Sequence, residues 1–221
     1  MPRHGRQTLP SEITARHQRK STSYLTRPAW TGYLLRVSKE LTRRKAATSC
    51  FGRDWQRKGG DLAVAAKEKL AGSWLQAQLT IVGCQPPLHS AGNIRVFPNL
   101  NKNRAEEARI LGDLYEQADF LILPTKADCS SSVTAEANAF GVPVIATKTG
   151  GLPSLIKEGV NGYLVPLSAQ GEDFAKIMST VFRDEKTYRK LRQTSRQEYE
   201  KRMSSEVWSR KVAEITNRVL I

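Results

Sequence analysis

Phe120-Leu-Ile-Leu123 and Val142-Pro-Val-Ile-Ala146 are unbroken apolar runs, and the stretches around them carry helical periodicity. A strand with one wet face alternates apolar with polar residues, whereas a strand covered on both faces does not. Runs of this kind, separated by amphipathic segments, predict βαβ units around a parallel sheet with helices on both faces. Further strands are read at Leu79–Val82, Ile94–Phe97 and Gly162–Val165, with an unusually short first strand near Ser49–Gly52. Helices are read at Asp61–Leu70, Arg104–Ala118, Ser132–Phe140 and Gly171–Arg183. In the first of these, Leu62, Ala65, Ala66 and Leu70 recur at helical spacing. The charged stretch Glu185–Leu220 reads as helix without a strand, wrapping the outside of the domain.

The segment before this pattern differs in texture. Residues 1–60 hold 14 Lys plus Arg against Glu12, Glu40 and Asp54, so +11 of the net +14 sits there. Apolar periodicity is poor over residues 1–45, and a short helix over Tyr33–Leu41 is the one element read there. The expectation is a basic, poorly ordered extension over residues 1–48, followed by a single α/β domain over 49–221. Such an extension is suited to weak peripheral contact with an anionic membrane surface. Nucleic acid is disfavoured, because few aromatics interleave with the charges. No apolar run approaches the length needed to span a bilayer, and no apolar signal core follows the basic residues. A cytoplasmic location, with peripheral membrane contact as a variant, is the expectation. Cys50, Cys84 and Cys129 are odd in number and lack metal-like spacing, so they read as reduced structural thiols. With His4, His17 and His89 the only histidines, no metal site is expected.

In open α/β sheets, ligands bind beyond the carboxyl ends of the strands, where loops enter helix N-termini. Three loops there have unusual content. Gly52-Arg53-Asp-Trp-Gln-Arg-Lys58-Gly59-Gly60 joins glycines that let backbone approach a ligand to cations suited to phosphate. The loop Pro124 to Glu136 carries Asp128 and the N-cap candidates Ser130, Ser131 and Ser132, followed by Val133. Glu136, about one turn into the helix, offers two oxygens to vicinal hydroxyls. Thr147-Lys-Thr-Gly150-Gly151-Leu-Pro153 ends a buried strand with a glycine pair. Taken singly, the three also read as a basic surface loop, an exposed helix acid beside a turn Asp, and a plain tight turn.

Taken together, at these spacings, they resemble the retaining GT-B glycosyltransferases of family four (glycosyl transferases group 1). The matches are Gly52, Arg53, Lys58 and Gly59 to Gly-Arg-x4-Lys-Gly, and Asp128, Glu136 and Ala137 to two acids eight apart followed by Ala. Gly141 through Pro153 matches Gly-x-Pro-Val-Ile-Ala-Thr-x-x-Gly-Gly-x-Pro; Gly159 and Gly162 match the Gly-x-x-Gly that follows. Leu79 to Gly83 sits at the second strand of the family's C-terminal domain. The resemblance covers residues 51–202.

It implies one Rossmann-like half of a GT-B fold, with a nucleotide-diphosphate sugar as donor and no cofactor. Arg53 and Lys58 would bind the donor diphosphate and stabilise the departing charge. Asp128 would contact the donor sugar and Glu136 the ribose, while the backbone around Ser130 to Val133 would help hold the diphosphate, with Gly150 and Gly151 close to the ligand. Three features depart from the pattern. Asp128 stands where the family has Glu, and Cys129-Ser130-Ser131 replaces Gly-aromatic-Gly. The residues before the first strand are also too few for the acceptor-binding half. A truncated retaining hexosyltransferase, with a partner chain as one source of that half, is therefore expected. The alternative is a nucleotide-sugar-binding module or inactive remnant, and a third reading is nucleic-acid binding through the basic tail.

Overall fold

A computed structural model describes residues 32–35, 45–51, 54–71, 76–87 and 93–219. The strands are β1 (Gly32–Leu35), β2 (Lys45–Phe51), β3 (Gln76–Val82), β4 (Ile94–Phe97), β5 (Phe120–Leu123), β6 (Val144–Thr147) and β7 (Gly162–Val165). The helices are α1 (Gly60–Ala71), α2 (Ala105–Gln117), α3 (Ser132–Ala139), α4 (Leu152–Leu155), α5 (Gly171–Arg183), α6 (Glu185–Glu198) and α7 (Ser205–Val219). A π turn, Tyr199–Met203, joins the last two.

Six strands form a parallel sheet in the order β4-β3-β2-β5-β6-β7. The chain starts near the middle, builds outward through β3 and β4, then returns to β5 and builds the other way. This is the doubly wound arrangement, in which the order reverses between β2 and β5 and leaves a crevice above their carboxyl ends. All four side chains of Phe120–Leu123 are buried, and so are those of Val144–Thr147. Each large apolar side chain so placed contributes about 1.5–3 kcal/mol. That explains why these short runs were the clearest signal in the sequence.

Three expectations of local structure change. The first strand starts at Lys45 and not near Ser49. Its Lys-Ala-Ala-Thr opening has weak strand propensity, and pairing with β3, from Lys45 opposite Gln76 to Phe51 opposite Val82, supplies what propensity lacks. Gly32–Leu35 is strand where a helix over Tyr33–Leu41 was expected; residues 36–41 lie outside the described residues. It runs antiparallel to β3 and β5, with Leu35 opposite both Leu79 and Phe120. Thr48 of β2 is opposite the same two residues. The parallel strand β2, seven residues long against four, leads into the loop that carries Lys58. Third, Leu152–Leu155 forms a single helical turn, absent from the pattern-based reading.

The C-terminal helices wrap the sheet as expected through α6. Arg192 donates to the carbonyls of Gly141 and Phe140, and Tyr188 Oη donates to Asp119 at 2.5 Å. By contrast α7 buries only Val207 and exposes Trp208, Val212, Ile215 and Val219 along one stripe. No helix among the described residues is long and apolar enough to cross a membrane.

Candidate functional site at the sheet switch point

The loops that follow β2 and β5 flank the order reversal, and they are laced together. Lys126 N donates to the Arg57 carbonyl at 2.9 Å, and Arg57 Nη1 donates to the Ala127 carbonyl at 3.0 Å. Thr125 Oγ1 bridges to the Ala127 carbonyl at 2.9 Å and lies 3.3 Å from that of Arg57. Across this seam Lys58 Nζ meets Asp128 Oδ2 at 2.7 Å, with the two side chains only 4% and 10% exposed. Burial at this level requires pairing, since an isolated charge would cost several kcal/mol.

Glycines allow the loops to close. Gly59 has φ +70°, and a Cβ there would lie 2.0 Å from the Pro124 carbonyl oxygen. Gly150 has φ +52°, and its Cβ would lie 2.0 Å from the Asp128 carbonyl oxygen; at Gly151 the same clash falls on Cys129. The close approach read for the glycine pair is thus made to the Asp128 loop, with Gly151 N donating to the Asp128 carbonyl at 3.0 Å. Both glycine loops therefore clamp the segment between β5 and α3 from its two sides.

Ser131 is the N-cap of α3, but its hydroxyl does not cap the helix. Its Oγ is buried without a hydrogen-bond partner, as is Thr134 Oγ1 one turn on. Orphaned buried hydroxyls are rare. Here one stands beside backbone N–H groups of a first helical turn, which have no partner within the helix. Ser130 and Ser132 are exposed and Val133 is buried. Arg53 lies outside the described residues.

Glu136 sits in the second turn of α3. Lys102 Nζ, from the loop after β4, reaches its Oε1 at 2.6 Å, and Tyr115 Oη of α2 donates to Oε2 at 3.1 Å. Burial pushes the Glu136 carboxyl up to about 7, against the opposing pull of Lys102 and of both hydrogen bonds. Burial lowers the Lys102 ammonium and raises the Tyr115 phenol well above its usual value, in the latter case helped by the Glu136 charge. The surface-acid reading of Glu136 is thereby excluded: its side chain is 13% exposed.

The sequence expectations include Lys58, Asp128 and Glu136, and the structure adds Lys102 and Tyr115 beside Glu136 and Arg57 between the two loops. Tyr115 reads as an ordinary core residue, stacked on Phe140 at 5.3 Å. Lys102 carries no motif; its one sequence cue is its place just past the carboxyl end of a predicted strand.

Comparison with known proteins follows the same lines. The family profile described as glycosyl transferases group 1 matches residues 46–184. The D-inositol 3-phosphate glycosyltransferase of Segniliparus rotundus is 30% identical over 138 residues, covering 59% of this chain and 31% of the relative. That of Mycobacterium sp. strain KMS is 28% identical over 166 residues, covering 70% and 36%. Among solved structures, sucrose-phosphate synthase from Thermosynechococcus elongatus superposes with a TM-score of 0.62 at 21% identity, over 78% of this chain and 44% of that one. Anabaena HepE in complex with UDP gives 0.62 at 18%, over 80% and 49%. The chain thus spans about a third of the length of these curated relatives and under half of these solved chains. Its doubly wound sheet is one Rossmann-like half of a GT-B fold, and the chain belongs to the glycosyl transferases group 1 family.

Proposed function

We propose that this chain is the donor-binding half of a retaining hexosyltransferase, holding a nucleotide-diphosphate sugar in the crevice between β2 and β5. The observation that carries the reading is the pairing of buried charges above the switch point. Lys58 and Asp128 close the seam between the two loops, and Glu136 stands one turn into the helix that leaves it. A diphosphate needs cations and free N–H groups, which Lys58, Arg53 and the start of α3, with the partnerless Ser131 hydroxyl, would supply. A ribose needs a paired acceptor for adjacent hydroxyls, which Glu136 would supply. Asp128 would face the sugar. Charge developing on the leaving diphosphate would be stabilised by fixed cations and helix N–H groups, without a cofactor.

Transfer also needs an acceptor hydroxyl held close to the anomeric carbon. We assign that task to a second domain or partner chain. The exposed stripe Trp208, Val212, Ile215 and Val219 supports this, as an apolar face that a second domain would cover. The competing reading, a nucleotide-sugar-binding module without transfer, draws on Cys129-Ser130-Ser131 in place of Gly-aromatic-Gly. It separates from the first by whether any acceptor is glycosylated once the second half is added.

Glu136→Ala tests the ribose assignment. Two charge-assisted hydrogen bonds are lost, each worth about 1.5 kcal/mol or more. Nucleoside diphosphate affinity, measured by calorimetry, should therefore fall at least ~10-fold while the fold is kept. An unchanged affinity would remove Glu136 from the site.

A further inference from the structure

Lys102 belongs to none of the motifs that point to the site, yet it is held in place with care. It sits at the tip of a tight turn: Arg104 N donates to the Asn101 carbonyl at 3.0 Å, and Asn103 N donates to Asn101 Oδ1 at 3.0 Å. Glu107 Oε2 accepts from Asn101 N at 2.5 Å and ties that turn to the start of α2. From there the lysine reaches Glu136, and both side chains are nearly buried, 14% and 13% exposed. The contact joins the loop after β4 to the helix after β5.

We propose that Lys102 is the positioning residue of the nucleotide site, holding Glu136 ionised and aimed as the acceptor for two adjacent hydroxyls. The proposal deepens the donor-binding reading and rests on it for the identity of those hydroxyls. The physical reason is a contest between two effects. Burial favours the neutral carboxylic acid, which offers a donor where an acceptor is wanted. An ammonium at 2.6 Å favours the carboxylate. In this protein the contest is nearly balanced, since Glu136 titrates at about 7 with Lys102 in place. The other titratable groups facing Glu136 do not compensate for losing Lys102. Tyr115 donates one neutral hydrogen bond, and Tyr199 of the π turn is near enough to sense the Glu136 charge. Arg192 and Arg196 of α6 are engaged at the far end of the helix, on the carbonyls of Phe140 and Ala139. The facing strand β6 contributes no charged side chain.

The sign of the effect follows. An ionised Glu136 binds hydroxyls, so affinity should rise with pH through the Glu136 midpoint. With a midpoint near 7 the ionised fraction changes about tenfold between pH 6 and pH 8. Lys102→Met should move the midpoint up by at least ~1 unit, whereas Lys102→Arg should keep it near the original value.

Two measurements on the whole chain decide. The first is the carbon-13 titration of the Glu136 carboxyl without ligand, in the original protein, Lys102→Met and Lys102→Arg. A midpoint raised only in Lys102→Met supports the proposal, and an unmoved midpoint overturns it. The second is UDP-glucose binding from pH 6 to pH 9; its diphosphate diester does not itself titrate there. Lys102→Met should bind several-fold more weakly at pH 7 and match the original protein near pH 9. A deficit that persists at pH 9 would make Lys102 a direct ligand contact and overturn the positioning role, as would equal binding throughout. If the carboxyl midpoint shifts but no variant binds UDP-glucose at any pH, the action of Lys102 on Glu136 stands, and the donor-site reading with that sugar nucleotide fails.

Discussion

Gly150→Ala should be among the most damaging small substitutions in the described part of the chain, costing about 3 kcal/mol or more of folding stability. Two costs add. A non-glycine residue at φ +52° is strained by roughly 1 kcal/mol. The new methyl group would also lie 2.0 Å from the Asp128 carbonyl oxygen, a backbone atom that cannot rotate away. The Asp128 segment must then shift, and with it the carboxylate that pairs with Lys58. Gly159→Ala separates the two costs: its φ is +70°, yet nothing lies within 4 Å of the added carbon. Urea unfolding should place Gly159→Ala about 1 kcal/mol below the original protein. Gly150→Ala should fall well below that, with nucleotide affinity lost in proportion. Equal losses for the two alanines would mean that the Gly150 loop yields freely and does not clamp Asp128.

Asp128→Ala should cost about 3 kcal/mol, because it strips the carboxylate from a lysine that is 4% exposed. The penalty should persist in high salt, since buried pairs are poorly screened. Glu106 makes the contrast. It pairs with Arg109 at 2.9 Å, but the two side chains are 71% and 63% exposed. Glu106→Ala should therefore leave stability essentially unchanged. Thermal or urea unfolding checks both, and a loss below 1 kcal/mol at Asp128 would show that the pair does not hold the seam.

What the sequence made legible follows from what each residue does. Continuous apolar runs such as Phe120–Leu123 declare two-sided burial by composition alone, so the parallel sheet could be read before any contact was known. Gly150 announced a special backbone, but not its partner. The glycine pair packs on the backbone of Asp128 and Cys129, residues 22 positions away in the chain. The strand β2 was half visible, because its first residues gain strand geometry from β3 and not from their own preference. Ser131 was readable as a cap position but not as an orphan: its hydroxyl leaves the helix end uncapped. Lys102 and Tyr115 were hidden for a topological reason. They lie 34 and 21 residues from Glu136, and only the doubly wound order brings the loop after β4 and helix α2 to the helix after β5.

The crevice between β2 and β5 should receive a nucleoside diphosphate. Calorimetric titration of the chain with the common nucleoside diphosphates and their sugars is the most direct test. One base should bind with measurable affinity. Binding should weaken with added salt and drop at least ~10-fold in Glu136→Ala. Failure of every nucleotide to bind at millimolar concentration, in a chain that unfolds cooperatively, would contradict the account.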